Sequence, residues 1–367
     1  MKTTYRVIGL MSGTSLDGLD MAYCELTYAD NHWQFTIPMA ETRPYDKTWQ
    51  HTLAHVTEAS GEALMLADLR LGTWMGEAVK KFIDTHQLDP QLVAAHGHTV
   101  FHQPERGLTY QMGSGFALQA ACQRPVVMNF RNYDVALGGQ GAPLVPVGDR
   151  LLFGDYDFCL NLGGIANVSA ELHGRRVAYD IGPANMVSNY FVQKEGHAYD
   201  DDGNLAASGQ VDQSLVDRFN GLDYYAAPFP KSLGYEWVRD HLIRPLEAAS
   251  LTLPDRLATV THHATRQVAS SLQQLMDGKK QSAARVLVTG GGAFNGYFMQ
   301  CLRRYSGEAV TYVIPDAQLV SFKEALVFAL LGVLRVRGEV NCLASVTGAA
   351  HDHSAGVVYG NIQINKT

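Results

Sequence analysis

The amino-acid sequence predicts an α/β protein built from two related domains. Apolar strands alternate with helical stretches along the chain, which is typical of this class. A pattern of strand, glycine turn and two returning strands begins near residue 5 and again near residue 157. A segment rich in glycine and proline at 134–148 separates the two copies. We therefore expect domains at 1–135 and 136–367, with a late helix that packs back on the first domain.

The first copy of the pattern opens with an apolar strand, followed by a turn rich in Gly, Ser and Thr. The next strand alternates between core and solvent positions with period two. Apolar residues at helical spacing then predict one long helix. The expected strands lie at 5–10, 19–26, 34–39, 92–97 and 125–130, and the long helix lies at about 60–87.

The second copy repeats the order, with its glycine turn at Gly163 and Gly164. A further apolar strand runs directly into Gly290, Gly291 and Gly292. The expected strands lie at 157–162, 168–172, 176–181 and 285–289, and the expected helices at 211–220, 236–249, 262–277 and 322–336.

Composition and charge exclude several functional classes. The 367 residues carry a net charge of -7, which argues against a broad nucleic-acid surface or a polybasic membrane surface. The longest apolar run, within 325–334, is far shorter than the roughly 20 residues that span a bilayer. The five cysteines form no CxxC pair, which favours free thiols in a reducing cytosol. We expect a cytoplasmic protein without nucleic-acid or membrane partners.

The first glycine turn is a candidate phosphate site. Its Gly13-x4-Gly18 spacing imitates a P-loop, but Leu19 and Asp20 follow where Lys and Ser/Thr are needed. No GxGxxG fingerprint occurs either. Backbone N–H groups and hydroxyls at such a turn still suit phosphate oxygens, and Asp17 could hold Mg²⁺ directly or through water. An ordinary hairpin turn is the alternative; three strand-to-glycine junctions favour a nucleotide held between two domains.

Several segments together resemble a known family. They are Gly9-Leu10-Met11-Ser12-Gly13-Thr14-Ser15-Leu16-Asp17-Gly18-Leu19-Asp20, His96-Gly97-His98-Thr99-Val100, Arg131-x-x-Asp134 with the glycine-rich 138–143, Asn161-Leu162-Gly163-Gly164-Ile165-Ala166-Asn167, Asp180-Ile181-Gly182-Pro183-Ala184-Asn185, Gly290-Gly291-Gly292-x-x-Asn295 and Glu324-Ala325. In this order they resemble the 1,6-anhydro-N-acetylmuramic acid kinases over nearly the whole chain.

The resemblance implies a fold and a reaction. The fold is that of the acetate and sugar kinases, Hsp70 and actin, with two α/β domains and ATP in the cleft between them. The reaction converts ATP, water and 1,6-anhydro-N-acetylmuramic acid into N-acetylmuramic acid 6-phosphate and ADP, during recycling of cell-wall peptidoglycan. A homodimer is implied as well.

The resemblance also implies roles for individual residues. Asp180 is the expected general base, and Asp17 the expected Mg²⁺ ligand. The expected sugar contacts are His96, Thr99, Arg131 and Glu324. The expected ATP contacts are Ser12, Gly13, Thr14, Ser15, Leu16, Asp17, Gly18, Leu19, Gly163, Gly164, Asn167, Gly290, Gly291, Gly292 and Asn295.

Plain structural alternatives stay open for several of these residues. Asp180 also suits the start of a turn, Arg131 an ion pair with Asp134, and Glu324 the first turn of a helix. His96, His98 and His102 have spacing that a zinc site could use, which is the less favoured interpretation.

Two further functional hypotheses share the fold. One is a kinase of another sugar or of a carboxylate. The other is a nucleotide-dependent binding module, either chaperone-like or sugar-sensing. A sugar-sensing regulator would need a helix-turn-helix segment, and none fits this sequence.

Overall fold

The computed structural model describes residues 2–13 and 16–362. These residues form two compact units. The first unit comprises the residues up to 152 together with those from 322 onward, and the second comprises 153–321. Residues 136–152, which follow the division expected from the sequence, group with the first unit, and so does the last segment, whose helix was expected to pack on the first domain.

The first unit begins with a strand-rich segment and continues with alternating helices and strands. Its elements up to residue 152 are β1 Thr3–Ser12, β2 Gly18–Ala29, β3 His32–Pro44, α1 Lys47–His55, α2 Gly61–His86, β4 Leu92–Gln103, β5 Leu108–Met112, α3 Gly115–Cys122, β6 Val126–Met128, α4 Phe130–Ala136 and α5 Val145–Leu152. Thus α5 occupies the end of the segment expected to be a loop.

The second unit has the same opening order and a larger helical part. Its elements are β7 Phe158–Leu162, β8 Ile165–Leu172, β9 Arg175–Pro183, α6 Asn185–Lys194, α7 Asn204–Ser208, α8 Gln213–Asn220, α9 Asp223–Ala226, α10 Tyr235–Val238, α11 Arg244–Ala248, α12 Leu253–Lys279, β10 Ala284–Thr289, α13 Gly296–Ser306 and β11 Val310–Val313. A π-helical turn, Arg239–Ile243, joins α10 to α11.

The last segment contains α14 Ala317–Arg337, α15 Ala344–Thr347 and β12 Val357–Tyr359. From residue 322, α14 packs on the sheet of the first unit. A Cβ at Gly9 in β1 would overlap the Ala325 carbonyl, and one at Gly332 would lie 2.6 Å from Ala94 Cβ. This close packing explains why the helix belongs to the first unit although it comes late in the chain.

The two units contain sheets of the same topology. The strand order is β3-β2-β1-β4-β6-β12 in the first, with β5 beside β4, and β9-β8-β7-β10-β11 in the second. In both sheets the first three strands form an antiparallel meander, and the next two along the sheet run parallel to the first strand. The duplicated α/β fold class expected from the sequence is confirmed.

Local sequence signals account for the long helices. Ser60 and Thr252 accept hydrogen bonds from the backbone N–H groups of Ala63 and Asp255, and so begin α2 and α12. Gln87 ends α2 in the left-handed region at φ 52°. The helix expected at 60–87 is confirmed. Among the described residues, no helix has both the length and the apolar character needed to cross a bilayer.

This topology determines where functional groups can collect. In open α/β sheets, ligands bind beyond the carboxyl ends of the parallel strands. The glycine turns follow these ends: the β1–β2 turn lies beyond β1, Gly163 and Gly164 beyond β7, and Gly290–Gly292 beyond β10.

Candidate active site

In the first unit, the end of β1 is fixed by hydrogen bonds to neighbouring elements. Ser12 is 2% exposed, and its Oγ lies 2.8 Å from the Tyr45 hydroxyl and 3.1 Å from His98 Nδ1. The Ser12 side chain is therefore committed to the fold. Of the expected ATP contacts in this turn, Thr14 and Ser15 lie outside the described residues.

The rest of the β1–β2 turn divides into exposed and buried positions. Asp17 is exposed and Leu16 adopts a left-handed conformation at φ 60°. Gly18 has no room for a side chain, since a Cβ there would lie 2.5 Å from the Arg43 carbonyl oxygen. Leu19 is fully buried in the core. Its side chain is unavailable to a ligand, so the available groups are the Asp17 carboxylate and the turn backbone.

Three carboxylates influence one another near this turn. Burial raises the pKa of Asp20, and the charge of Asp17 raises it further, against a 2.5 Å hydrogen bond from Thr42 Oγ1 that lowers it. Glu324 is exposed as a residue, but loss of water around its carboxyl raises its pKa. The charge of Arg131 lowers this pKa, and the charge of Asp20 raises it.

Arg131 is held by His96. The His96 ring is 5% exposed, and its Nδ1 lies 2.8 Å from the Gly97 carbonyl oxygen, so Nδ1 carries the proton. Its Nε2 accepts from Arg131 Nε at 3.0 Å and Nη2 at 2.8 Å. Burial and the charge of Arg131 lower the pKa of His96 well below its usual value.

A third hydrogen bond completes the fixation of Arg131, because its Nη1 donates to the Gly141 carbonyl oxygen at 2.5 Å. Burial lowers the pKa of Arg131 to about 10, so the guanidinium stays charged at neutral pH. Asp134 was the alternative ion-pair partner for Arg131. Its buried carboxylate accepts hydrogen bonds from Gly141 N and Thr347 Oγ1. Both ring nitrogens of His96 make hydrogen bonds within the protein, so His96 supports Arg131 rather than offering a ring nitrogen to a ligand.

The histidine pattern on β4 does not form a metal site in the described part of the chain. His98 Nδ1 is bonded to Ser12, and His102 Nδ1 lies 3.0 Å from Thr109 Oγ1. Among the described residues, no set of metal-compatible side chains includes His96, His98 or His102. Thr99 is half-buried and pairs with Gln111 across to β5.

In the second unit, a polar row crosses four adjacent strands. The register pairs Thr289 on β10 with Asn161 on β7, Asn161 with Asn167 on β8, and Asn167 with Asp180 on β9. Residues paired in this way lie on the same face of a sheet, with Cβ atoms about 4.5–5.5 Å apart. Asn167 and Asp180, expected to serve ATP and catalysis, are therefore direct neighbours.

The Asp180 carboxylate is anchored through one oxygen. Its Oδ2 accepts from Leu233 N at 3.0 Å, while its backbone N–H donates to the Lys231 carbonyl and its carbonyl accepts from the Tyr224 hydroxyl. Within the described residues the second oxygen has no donor. Burial raises the pKa of this half-buried carboxyl, against the Leu233 N–H, which lowers it. An ionised carboxylate with one free, oriented oxygen can accept a proton.

The loop that holds Asp180 is itself fixed by side-chain contacts. Lys231 Nζ lies 3.0 Å from the Tyr224 carbonyl oxygen and 4.7 Å from the Tyr224 ring centroid. Lys231 thereby fastens the loop to the tyrosine that bonds the Asp180 backbone. Residues 230–234 lie far from Asp180 along the chain, so local sequence gives no signal of this contact.

The Gly163–Gly164 turn lies beside the start of α6. The two carbonyl oxygens accept backbone N–H groups of Ala184, Asn185 and Met186 at 2.9–3.1 Å. Among the described residues, no acceptor is recorded for the backbone N–H groups of Gly163 and Gly164. These N–H groups are the part of the turn available to an anion.

The three positions after β10 require glycine to different degrees. Gly290 has φ 82°, and a Cβ there would lie 2.7 Å from Asn161 Oδ1. A Cβ at Gly292 would lie 2.8 Å from Leu162 Cβ, so both glycines are required by packing against β7. Gly291 is exposed, with nothing within 4 Å of its Cβ position, and it alone presents open backbone.

Asn295 and Asp202 fix the helix that follows this loop. Asn295 Oδ1 accepts from Phe298 N at 2.8 Å and caps α13, so its side chain is used within the fold. Asp202 Oδ1 accepts from Gly296 N at 2.7 Å. Asp202 was not expected at this site, since its acidic stretch matches no ligand motif.

Comparison with known proteins identifies the family. The model of the family described as anhydro-N-acetylmuramic acid kinase matches residues 5–361. The chain belongs to this kinase family. A relative from Azorhizobium caulinodans with that name is 36% identical over 96% of this chain and 99% of its own length. Another from Gloeobacter violaceus is 35% identical over 96% and 98%. The resemblance expected from the sequence motifs is confirmed.

Among solved structures, this chain is similar to an activator of 2-hydroxyisocaproyl-CoA dehydratase from Clostridium difficile. The TM-score is 0.41 at 12% identity, covering 91% of this chain and 96% of that one. This likeness is too distant to support an argument about function.

Proposed function

We propose that this chain is an ATP-dependent kinase that opens the 1,6-anhydro ring of 1,6-anhydro-N-acetylmuramic acid with water and phosphorylates O6. The products are N-acetylmuramic acid 6-phosphate and ADP, and the reaction belongs to peptidoglycan recycling. The observation that carries this proposal is the family match over residues 5–361. The half-anchored Asp180 carboxylate supplies the catalytic group that the reaction needs.

The chemistry of the anhydro bridge determines what Asp180 must do. O6 is an ether oxygen bonded to the anomeric carbon, so it has no proton to lose. The anomeric C–O6 bond breaks, a water oxygen bonds to the anomeric carbon, and O6 takes the γ-phosphoryl group. Asp180 takes the proton that water releases, through the oxygen that Leu233 leaves free. The Leu233 N–H keeps the carboxylate oriented during this transfer.

Phosphate oxygens of ATP are proposed to contact backbone N–H groups at the glycine turns. At the β1–β2 turn these groups belong to Ser12, Gly13 and the turn residues that follow. In the second unit they are the N–H groups of Gly163 and Gly164, and the open backbone at Gly291 suits the nucleoside. Phosphoryl transfer depends mainly on such positioning and on charge neutralisation.

A magnesium ion is proposed to be held at Asp17, directly or through water. The exposed Asp17 carboxylate and the neighbouring Asp20 carboxylate fit a hard cation that favours oxygen ligands. When bound, Mg²⁺ neutralises charge on the phosphate oxygens.

Arg131 is proposed to bind the lactyl carboxylate of the sugar. Three of its five N–H groups point to His96 and Gly141, which leaves two for a ligand. A guanidinium already fixed in the protein loses little freedom when it binds a carboxylate. Thr99 and Glu324 are proposed to contact polar groups of the same sugar.

Three properties of the whole protein are part of the proposal. A kinase that consumes ATP works where ATP is made, so we place it in the cytoplasm. The net charge of -7 favours small-molecule substrates over nucleic acid. A homodimer is proposed from the family, and light scattering after gel filtration measures it.

The experiment supplies the native chain with Mg-ATP and one sugar at a time. Incubation with the anhydro sugar should give ADP and a product heavier by one phosphoryl group (HPO3) and one water. Free N-acetylmuramic acid and glucose, which lack the anhydro bridge, serve as matched controls. Phosphorylation of glucose without reaction of the anhydro sugar would contradict the proposal.

A further inference from the structure

A buried cluster outside the proposed kinase chemistry joins three metal-compatible side chains. Asp134 on α4, Cys342 and His353 each offer one ligand atom, and these atoms lie within 4.8 Å of one another. Cys342 and His353 face each other across an isolated antiparallel bridge, with backbone hydrogen bonds of 3.0 and 3.2 Å. The exposed fractions are 0%, 2% and 5%. All three residues belong to the first unit.

The hydrogen bonding of His353 leaves one ring nitrogen unexplained. Its Nδ1 lies 3.0 Å from the His351 carbonyl oxygen, so Nδ1 carries a proton. Its Nε2 is buried and, among the described residues, has no hydrogen-bond partner. It points at Asp134 Oδ1 from 3.5 Å. If the ring is neutral, the lone pair of Nε2 faces a lone pair of Asp134 Oδ1, and the two repel each other. A proton or a metal ion between these two atoms would remove the repulsion.

The distance between these atoms favours the metal ion. An N–H···O hydrogen bond has a donor–acceptor distance of about 2.7–3.2 Å, shorter than the spacing of 3.5 Å. Two ligands on one tetrahedral zinc, with bonds of about 2.0–2.1 Å, lie about 3.3–3.4 Å apart. The spacing of Nε2 and Oδ1 therefore fits one edge of a zinc tetrahedron. Cys342 Sγ lies within 4.8 Å of both atoms and offers a third ligand, which a proton shared by Asp134 and His353 would not need.

The surroundings orient the three groups as metal sites require. The His351 carbonyl accepts the second ring N–H of His353, as outer partners of metal-binding histidines do. Gly141 N and Thr347 Oγ1 donate to the Asp134 carboxylate at 2.6 and 2.7 Å.

The charges also balance with a divalent ion. A metal ion binds cysteine as its thiolate, so binding would release the proton of the Cys342 thiol. One thiolate and one carboxylate then neutralise a divalent ion in a buried place, and the sulfur ligand selects zinc over Mg²⁺ or Ca²⁺.

We propose that Asp134, Cys342 and His353 bind a zinc ion, with water at the fourth position. The ion would tie the 342–353 segment to α4. Its position also matters for the sugar site, because the Asp134 carboxylate holds Gly141 N, and the Gly141 carbonyl holds Arg131. The proposed role is structural, and it does not depend on the identity of the sugar.

Metal binding by the full-length chain tests the proposal. The protein is stripped with a chelator, loaded with Zn²⁺ or Co²⁺, and passed through gel filtration. We expect about one ion retained per chain, and with Co²⁺ the thiolate-to-metal absorption of a tetrahedral site. Cys342→Ala should lose both signals. Cys122→Ala, another buried cysteine of the same unit, should keep both.

The outcomes are distinguishable even if one variant fails to fold. Circular dichroism checks the fold of each variant, and His353→Gln, which removes a different ligand, replaces Cys342→Ala if the latter is unfolded. The proposal is overturned if the native chain retains no ion, if Co²⁺ binds without thiolate absorption, or if a folded Cys342→Ala or His353→Gln chain binds as the native chain does.

Discussion

His96 holds the Arg131 guanidinium, and a His96→Leu substitution removes this acceptor while keeping an apolar side chain in the buried position. Two N–H groups of Arg131 then lose their shared partner. A hydrogen bond that involves a charged group contributes about 1.5–3 kcal/mol, so the free energy of unfolding should fall by about that amount. Arg131 would keep only its Gly141 contact, and looser positioning worth about 1.4 kcal/mol would raise KM for the anhydro sugar about tenfold.

Urea denaturation measures the loss of stability, and initial rates at saturating ATP measure KM and kcat. His96→Gln is the matched control, because its side-chain oxygen can still accept from Arg131, and it should recover most of both losses. Unchanged stability and unchanged KM in His96→Leu would refute the positioning role. A KM for His96→Gln that is as high as the KM for His96→Leu would refute the positioning role as well.

The pH dependence gives a second check on the same residue. The pKa of His96 lies well below its usual value in the folded chain, whereas the unfolded chain binds a proton near pH 6.5. The contribution of neutral His96 to stability is therefore complete above pH 6.5 and is lost as the pH falls from there toward the folded-state pKa. KM for the sugar should show no break near pH 6.5; a rise there would mean that His96 titrates normally.

Other residues give independent predictions. Because burial raises the pKa of Asp180, kcat/KM should fall on acidification with a pKa above 3.8, and a rate that is flat down to pH 4 would contradict an Asp180 base. Gly290→Ala should destabilise the fold, because its Cβ would lie 2.7 Å from Asn161 Oδ1, whereas Gly291→Ala should leave the melting temperature unchanged and weaken ATP binding; equal melting temperatures for the two variants would contradict the packing argument. Asp17→Asn should increase the Mg²⁺ concentration needed for half-maximal rate, and an unchanged Mg²⁺ requirement would exclude Asp17 as a ligand.

Apolar periodicity made the fold predictable. Both copies of the strand pattern, the long helix at 60–87 and the glycine junctions follow from local sequence, and the structure has them. The late helix was expected to pack on the first domain, but its contacts there did not follow from local sequence. The helix begins at Ala317, and the glycines at 9 and 332 that permit its close packing carry no local signal of their partner.

The candidate site was predictable in its residue types and less so in its contacts. The family resemblance indicated Asp180, and the glycine turns were indicated because open backbone after strands suits phosphate oxygens. The sequence could not show that Leu233 N–H anchors Asp180, since the two residues come from separate elements. Nor could it show that both His96 nitrogens are occupied, because hydrogen-bond satisfaction depends on the folded surroundings.

The turnover of Asp180→Asn tests the central claim most directly. The amide can still accept the Leu233 N–H, so the fold and ATP binding should persist, while the proton acceptor is lost. General-base catalysis contributes about 100- to 10,000-fold, so kcat with the anhydro sugar should fall by that factor with the ATP dissociation constant unchanged. A variant that retains native turnover would show that another group deprotonates the attacking water.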